Sequence, residues 1–360
     1  MTVLSEIRPK LGNDSFFLPD KNGFVFRNDG LSVFVPGETL YPLIVEVVHH
    51  LTGELSVQEI CALFPSDSRE SIVGIIEHLL RNGVLKASKT EDSVQLPSSV
   101  CACFRPQIDF IEHLADNPLK RFENFRQSRT LLVGSGLPLS TCAAALIRYG
   151  LEELSLLPTE PLLETPVEVG RAIAVLHSRG IRASSSIVER LNASLDLRPY
   201  SLIGYVSDSS SLRDVLLLNR RCSQERRLLL VAIIVDNQSF MGPLIKQPGC
   251  WVCGLLRLSR CLVNHRRYKA LRKRVSQGDG LLGKREERHR PLAINVGSDL
   301  AFEIFKVLAG NLRPEIERGM LVQTLKGQDA LAARFIPHSL YACVNLCKDI
   351  ALPNSSPHQS

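Results

Sequence analysis

Two close pairs of cysteines carry the strongest chemical signal in the chain. Cys250 and Cys253 form a C-x-x-C within Pro248-Gly249-Cys250-Trp251-Val252-Cys253, directly after a Pro-Gly turn. Thiolates at that spacing, where a turn opens a helix, make half of a tetrahedral zinc site. Cys343 and Cys347, a C-x3-C near the other end, offer the second half, with His338 and Cys261 in reserve. Four thiolates leave no open coordination position, so such a zinc is structural and activates no water. The alternative reading of Cys250 and Cys253 is a redox pair or two free thiols. Cys101 and Cys103, a C-x-C with no second pair nearby, read as ordinary thiols rather than a metal site.

The second signal is a glycine turn. Thr130 to Val133 reads as a buried strand, Gly134-Ser135-Gly136 as a tight turn, residues 138 to 149 as a helix and Leu154 to Leu157 as a second strand. Strand, glycine turn, helix and strand in that order begin a nucleotide-type α/β fold. The phosphate-binding logic is damaged, however. The third position of G-x-G-x-x-G is Leu139, and the second strand ends in Pro158-Thr159, where an acidic residue would hold a ribose. Asp208, after the strand Leu202 to Val206, and Asp236 are candidate metal aspartates for a nucleotide. No positioned nucleophilic Cys and no Ser/His/Asp set stands out.

The elements around these residues alternate. Helices are expected at Val167 to Arg179 and Ser211 to Arg221, and strands at Ala183 to Val188, Leu202 to Val206 and Leu228 to Val235. The last is an unbroken apolar run, as in the middle of a sheet covered on both faces. Ser239 to Ile245 reads as a further strand bent at Gly242-Pro243, Leu292 to Leu308 as a long helix, and Leu321 to Leu325 and Ala332 to Ile336 as strands.

Residues 1 to 88 read as a separate small domain. Ser15 to Pro19, Gly23 to Arg27 and Ser32 to Val35 are strands joined by the turn signals Asp20-Lys-Asn-Gly23 and Asn28-Asp-Gly30. Helices follow at Leu40 to Leu51, at Val57 to Leu63 behind a Ser56 cap with Glu59, and from Asp67 or Ser68 to Asn82-Gly83. Val84 to Lys86 returns as a strand. That is a winged-helix pattern. Its third helix presents Arg69, Glu70, Ser71, Glu77, His78 and Arg81, a mixed face unlike the basic footprint that phosphate binding needs. Two other uses stay open: a plain packing module, or a groove between Ser32–Val35 and the third helix that takes an extended peptide by strand addition.

Composition sets bounds. The chain has 360 residues and 44% hydrophobic residues, enough for about two domains with a sizeable core. No apolar run reaches the roughly 20 residues that span a bilayer, and no signal-peptide pattern opens the chain. Ten cysteines in a chain this long do not demand disulfides. A cytoplasmic protein without a membrane is the expectation. Net charge is +6, much of it between Arg257 and Arg290. That basic helix also has an apolar side, Leu255, Leu258, Leu262 and Tyr268, so solvent or an acidic partner is favoured over nucleic acid. Segments 89–129 and 353–360 read as a connecting segment and a polar tail, leaving 130–352 for the α/β domain.

In order, these features resemble the ThiF-like (ocin-ThiF-like) leader-peptide-binding proteins, or cyclodehydratase C-proteins, of thiazole/oxazole-modified peptide biosynthesis. The resemblance rests on the winged-helix-like start, the 130–158 unit, and Gly242-Pro243 shortly before Pro-Gly-Cys-Trp-Val-Cys. It implies a ThiF/MoeB-like α/β domain with a structural zinc and no ATP bound by this chain. It implies a peptide recognition module holding a precursor leader between its third strand and third helix, here Leu31, Ser32, Val33, Phe34, Val35 and Ile72, Ile76, Leu79, Leu80. It further implies docking on a YcaO-type enzyme that binds ATP and forms azolines from Cys, Ser or Thr, and it leaves room for a homodimer. Gly134, Gly136 and Asp208 would then be vestiges of a nucleotide site. The departure from the family pattern is the wider spacing of Cys343 and Cys347. The alternative is an active ATP-dependent adenylating enzyme acting on a peptide or carrier-protein C-terminus. A winged-helix regulator is the third reading.

Overall fold

The computed structural model describes residues 4–12, 15–28, 31–37, 40–87, 96–160, 165–188, 195–208, 211–235, 238–246, 251, 290–310, 312, 314–317, 319–324 and 327–334. The chain divides into two compact units: Met1–Gln95 with Pro106–Lys120, and Leu96–Arg105 with Arg121–Ser360.

In the first unit, strands β2 (Phe16–Asp20), β3 (Gly23–Asn28) and β4 (Leu31–Pro36) form an antiparallel sheet in the order β2-β3-β4. Alternation decides its faces. Phe24, Phe26, Val33 and Val35 are buried, while Phe16, Leu18, Arg27, Ser32 and Phe34 are exposed. The buried face packs on helices α1 (Leu40–Val47), α2 (Val57–Ala62) and α3 (Arg69–Arg81), which contribute Ile44, Val47, Ile60, Ile72, Ile76 and Leu79 to one core. A three-residue strand that sequence reading missed, β1 (Pro9–Leu11), pairs antiparallel with β5 (Leu85–Ala87). The strand after α3 therefore pairs with the N-terminal segment.

The start of α2 forms as its sequence predicts. Ser56 Oγ accepts from the Glu59 N–H at 3.2 Å, and Glu59 Oε2 accepts from the Ser56 N–H at 2.7 Å. The cap expected for α3 does not form. Asp67 and Ser68 lie in a 3-10 turn, Ser66–Ser68, and Ser68 is itself helical and caps nothing with its side chain. Ser56→Ala is expected to lower the unfolding free energy of the unit by about 1 kcal/mol, measured by urea denaturation. The Ser56 backbone N–H holds the Glu59 carboxyl below its usual range, with help from the Ser56 hydroxyl. The folded unit thus gives up this proton more readily than the unfolded chain. The stabilisation is complete above the ordinary carboxylate pKa and fades as pH falls through the lowered value. The Ser56→Ala variant should show less of that acid-side loss.

Among the described residues, the second unit is built on a sheet of eight strands. Its parallel part comprises β6 (Arg129–Ser135), β7 (Glu153–Pro158), β8 (Ser184–Ile187), β9 (Leu202–Ser207) and β10 (Leu228–Val235), in the order β10-β9-β6-β7-β8. Antiparallel strands β11 (Gln238–Met241), β12 (Gly319–Thr324) and β13 (Gly327–Arg334) continue it beyond β10. The strand expected through Ile245 stops at Met241, and Ile245 makes only a single bridge to Leu229. Helix α4 (Ser98–Cys103), which periodicity had not suggested, belongs to this unit; α5 (Arg105–Leu114) belongs from Pro106 onward to the first unit, and α6 (Pro118–Arg126) passes into the second at Arg121. Helix α7 (Gly136–Tyr149) follows β6, α8 (Thr165–His177) follows β7, and α9 (Leu212–Gln224) follows β9. A long helix α10 (Arg290–Leu308) packs on α7. As the unbroken run of β10 predicts, Leu229 to Ile234 are buried.

Two further buried features mark this unit. Trp251 is fully buried against the sheet; it donates Nε1–H to Gly242 O at 3.0 Å and its backbone N–H to Asn219 Oδ1 at 2.9 Å. On α10, Glu303 and Lys306 form an ion pair with both side chains almost wholly buried.

Candidate functional site

In the parallel sheet the strand order reverses between β6 and β9, because the chain runs outward from β6 through β7 to β8 and then returns to the other side of β6. Ligands of open α/β sheets bind outside the carboxyl ends of the strands at such a reversal. Gly134, Gly136 and Asp208 meet there. Gly134 has φ +144°, and a Cβ on it would lie 1.7 Å from the Val206 carbonyl oxygen. Gly136 has φ +72°, and a Cβ on it would lie 2.0 and 2.1 Å from the two carboxylate oxygens of Asp208. Positive φ favours glycine at both positions, and at Gly134 the Val206 backbone also leaves no room for a Cβ.

A hydroxyl network holds this arrangement. Ser135 Oγ and Ser207 Oγ, at the ends of β6 and β9, are buried and 2.7 Å apart. Ser135 therefore does not cap α7 with its side chain, although it stands at the N-cap. Tyr205, fully buried, accepts the Ser211 N–H on its hydroxyl oxygen at 2.9 Å. Burial raises its phenol well above the usual range. Ser211 Oγ in turn accepts from the Asp214 N–H at 3.3 Å and caps α9. Both ends of the segment carrying Asp208 are thereby fixed.

The crevice is a poor phosphate cradle. Helix α7 has Pro138 in its first turn, so one of the N–H groups that would face a phosphate is missing. Leu139 is fully buried in the core, and β7 ends in Pro158 with Thr159 donating its N–H to Gly134 O at 2.8 Å. The Asp208 carboxylate already lies at the positive end of α7. Like charges 4 Å apart repel by about 4 kcal/mol at the effective dielectric of a protein surface. Asp236, the other candidate aspartate, lies outside the described residues.

Two of the described cysteines are buried thiols held in the unreactive protonated form. Burial raises the Cys142 thiol far above its usual value and the Cys222 thiol to about 12. Cys101 and Cys103 are free thiols on α4. Cys250, Cys253, Cys343 and Cys347, with His338, Cys261 and the basic stretch 255–289, lie outside the described residues. Among the described residues there is no group of three or more His, Cys, Asp or Glu that could hold a metal ion. No helix among them is long and apolar enough to cross a membrane.

The first unit offers a different kind of site. Among the described residues β4 pairs with β3 alone and is an edge strand, with α3 packed beside it. The other edge, β2, carries Pro19 and Asp20, residues that discourage further pairing. Strand β4, Leu-Ser-Val-Phe-Val-Pro, carries no charge. The residues expected to contact a peptide divide sharply here. Val33, Val35, Ile72, Ile76 and Leu79 are core residues of the unit, and Leu80 is half-buried; their apolar face is used up in holding α3 to the sheet. What β4 presents outward is Ser32, Phe34 and its main chain. Periodicity identified the apolar face of α3 but could not tell a groove wall from the core.

No protein-family profile matches the chain, and no curated protein matches it. Solved structures do. E. coli MccB crystallised with MccA-N7isoASN superposes with a TM-score of 0.63 at 12% identity, over 92% of this chain and 97% of that one. MccB with ATP gives 0.61 at 12%, over 91% and 96%. A heterocyclase in complex with substrate and cofactor gives 0.54 at 15%, over 92% of this chain but 39% of that one. At such identities the likeness is one of architecture: the chain has the ThiF/MoeB-like fold, shared over nearly its full length with a microcin C7 biosynthetic enzyme.

Proposed function

We propose that the chain binds the leader of a ribosomally made precursor peptide by strand addition to β4 and presents it to a YcaO-type partner. That partner would form azoline heterocycles from Cys, Ser or Thr residues of the peptide. One observation carries the reading: β4 is an uncharged edge strand beside α3, while the opposite edge of the same sheet is guarded. An added strand would gain main-chain hydrogen bonds along β4. The neighbours agree in kind, since MccB was crystallised with MccA and the heterocyclase with its substrate. The missing N–H at Pro138 and the Asp208 carboxylate over Gly136 favour a scaffold over an ATP-consuming enzyme. Winged-helix character of the first unit, a homodimer, a cytoplasmic setting and a structural zinc on Cys250, Cys253, Cys343 and Cys347 belong to this proposal. Metal analysis giving well under one zinc per chain would remove the zinc from it.

The second reading is an ATP-dependent adenylating enzyme acting on a peptide or carrier-protein C-terminus. It is favoured by Gly134, Gly136 and Asp208 meeting at the sheet's reversal point, and by the full-length likeness to a protein crystallised with ATP. The full chain, mixed with a fluorescein-labelled precursor peptide encoded beside its gene, separates the two. Saturable polarisation without nucleotide, with slowed amide exchange at residues 31 to 36 and no ATP–pyrophosphate exchange, is the expected result. Exchange that requires magnesium and disappears in Asp208→Asn, with no protection of β4, would overturn the scaffold in favour of the enzyme.

A further inference from the structure

The outer face of the three-stranded sheet is apolar where a solvated face should be polar. The register places Leu18, Val25 and Phe34 side by side in one row across β2, β3 and β4. Leu18 is 49% exposed, Phe34 44%, and Phe16, in the next row, 50%. On an antiparallel sheet with one buried face, the other is ordinarily hydrophilic. This row ends at the unguarded edge. In the second row, Phe16, Arg27 and Ser32 lie across from one another. Arg27 has no ion pair among the described residues, and Ser32 beside it is short.

A strand added to β4 lengthens both rows by one residue. Continuing the antiparallel order of the sheet, the residue opposite Phe34 comes two positions before the residue opposite Ser32, and both point to the outer face. The first would cover Phe34 and extend the Leu18–Val25–Phe34 row, a cross-strand contact between apolar side chains. The second would look across short Ser32 toward Arg27. Strands two apart in a sheet are separated by about 10 Å, a gap that an extended Arg and a carboxylate side chain together span.

Resting on the strand-addition reading above, we infer that the bound segment is antiparallel to β4 and carries an aromatic or branched aliphatic residue followed two positions later by Asp or Glu. Phe34 and Arg27 on the outer face are the residues that select it. The specificity then lies on the solvent side of the sheet, and the buried side chains of α3 support the strand without reading the peptide.

The test uses the full chain and the same labelled precursor peptide, with peptide variants in which each residue in turn is serine. Phe34→Ser should weaken binding at least tenfold, and Phe34→Leu should recover most of it. A single apolar peptide position should become insensitive to serine replacement in the Phe34→Ser background. Arg27→Gln should weaken binding several-fold, and should do so through an acidic position two residues further along the peptide. Phe34 and Arg27 are exposed, so these variants keep the core, and unchanged thermal melting confirms it. Wild-type binding with protection of β4, but with Phe34→Ser and Arg27→Gln binding as wild type, overturns this inference and leaves strand addition standing. Absence of wild-type binding, or binding without protection of β4, removes the reading on which it rests and this inference with it.

Discussion

Replacing Trp251 by alanine is expected to lower the unfolding free energy of the second unit by about 3–5 kcal/mol. The indole is fully buried among strands β9 and β10 and helix α9, with Tyr205, Val231 and Ile233 in the same cluster. Two costs combine. A large cavity opens where the ring stood, and the buried Gly242 carbonyl loses its donor, the Trp251 Nε1–H at 3.0 Å. Trp251→Phe separates them: it keeps most of the packing and should cost about 1–3 kcal/mol, the penalty of an orphaned buried acceptor. The chain has one tryptophan. Its emission therefore reports this position directly, and should be blue-shifted in the native protein and move red on urea unfolding. A Trp251→Ala variant within 1 kcal/mol of wild type, or a red-shifted native emission, would refute the placement. The consequence reaches the chemistry, because Trp251 stands in the sequence between Cys250 and Cys253, the pair proposed to hold zinc.

The second large effect is expected at Glu303 on α10. Glu303→Ala should destabilise by about 3–5 kcal/mol, because it leaves the Lys306 ammonium buried without its counter-charge. Lys306 is 6% exposed and lies over the Phe302 ring at 4.9 Å. The ring offers only a weak cation–π attraction in place of a carboxylate. Replacing both members, Glu303→Leu with Lys306→Met, should be near neutral or stabilising, since it removes the desolvation cost of two charges at once. Urea denaturation of Glu303→Leu, Lys306→Met and the double closes the cycle. A Glu303→Ala cost below about 1 kcal/mol would show the pair to be hydrated, contrary to its burial.

How much could be read from the sequence depended on whether the deciding forces were local. The strand–turn–helix–strand unit at 130–158 and the apolar run of β10 were legible, because strand burial and glycine turns leave marks within a few residues. The Ser56–Glu59 cap was legible for the same reason. Strand β1 was not: Pro9–Leu11 has no alternation of its own and is a strand only because it meets β5, more than seventy positions later in the chain. The cap for α3 failed because a 3-10 turn over Ser66–Ser68 already continues into the helix. At the candidate sites the sequence marked β4 and α3 but could not divide their side chains between core and surface. Ile72, Ile76 and Leu79 carry a helical stripe, and the stripe is core. Phe34 lies on an alternating strand, and its exposure follows from which face of the sheet the helices cover. Pro138 in the first turn of α7 was visible throughout and became meaningful only when that turn lay at the reversal of the sheet.

The unequal edges of the small sheet also limit how it can grow. A strand with two open sides can propagate, adding copy to copy into a ribbon. Here one side is closed by Pro19 and Asp20 and the other is open along Leu31–Pro36. The sheet is monovalent in the polymer chemist's sense. Among the described residues, the sheet's own growth is open on the β4 side alone. Two copies that met without a guest would pair edge to edge and stop, a closed pair rather than a fibre. An adhesive strand can therefore be kept exposed in the folded protein without committing it to aggregation.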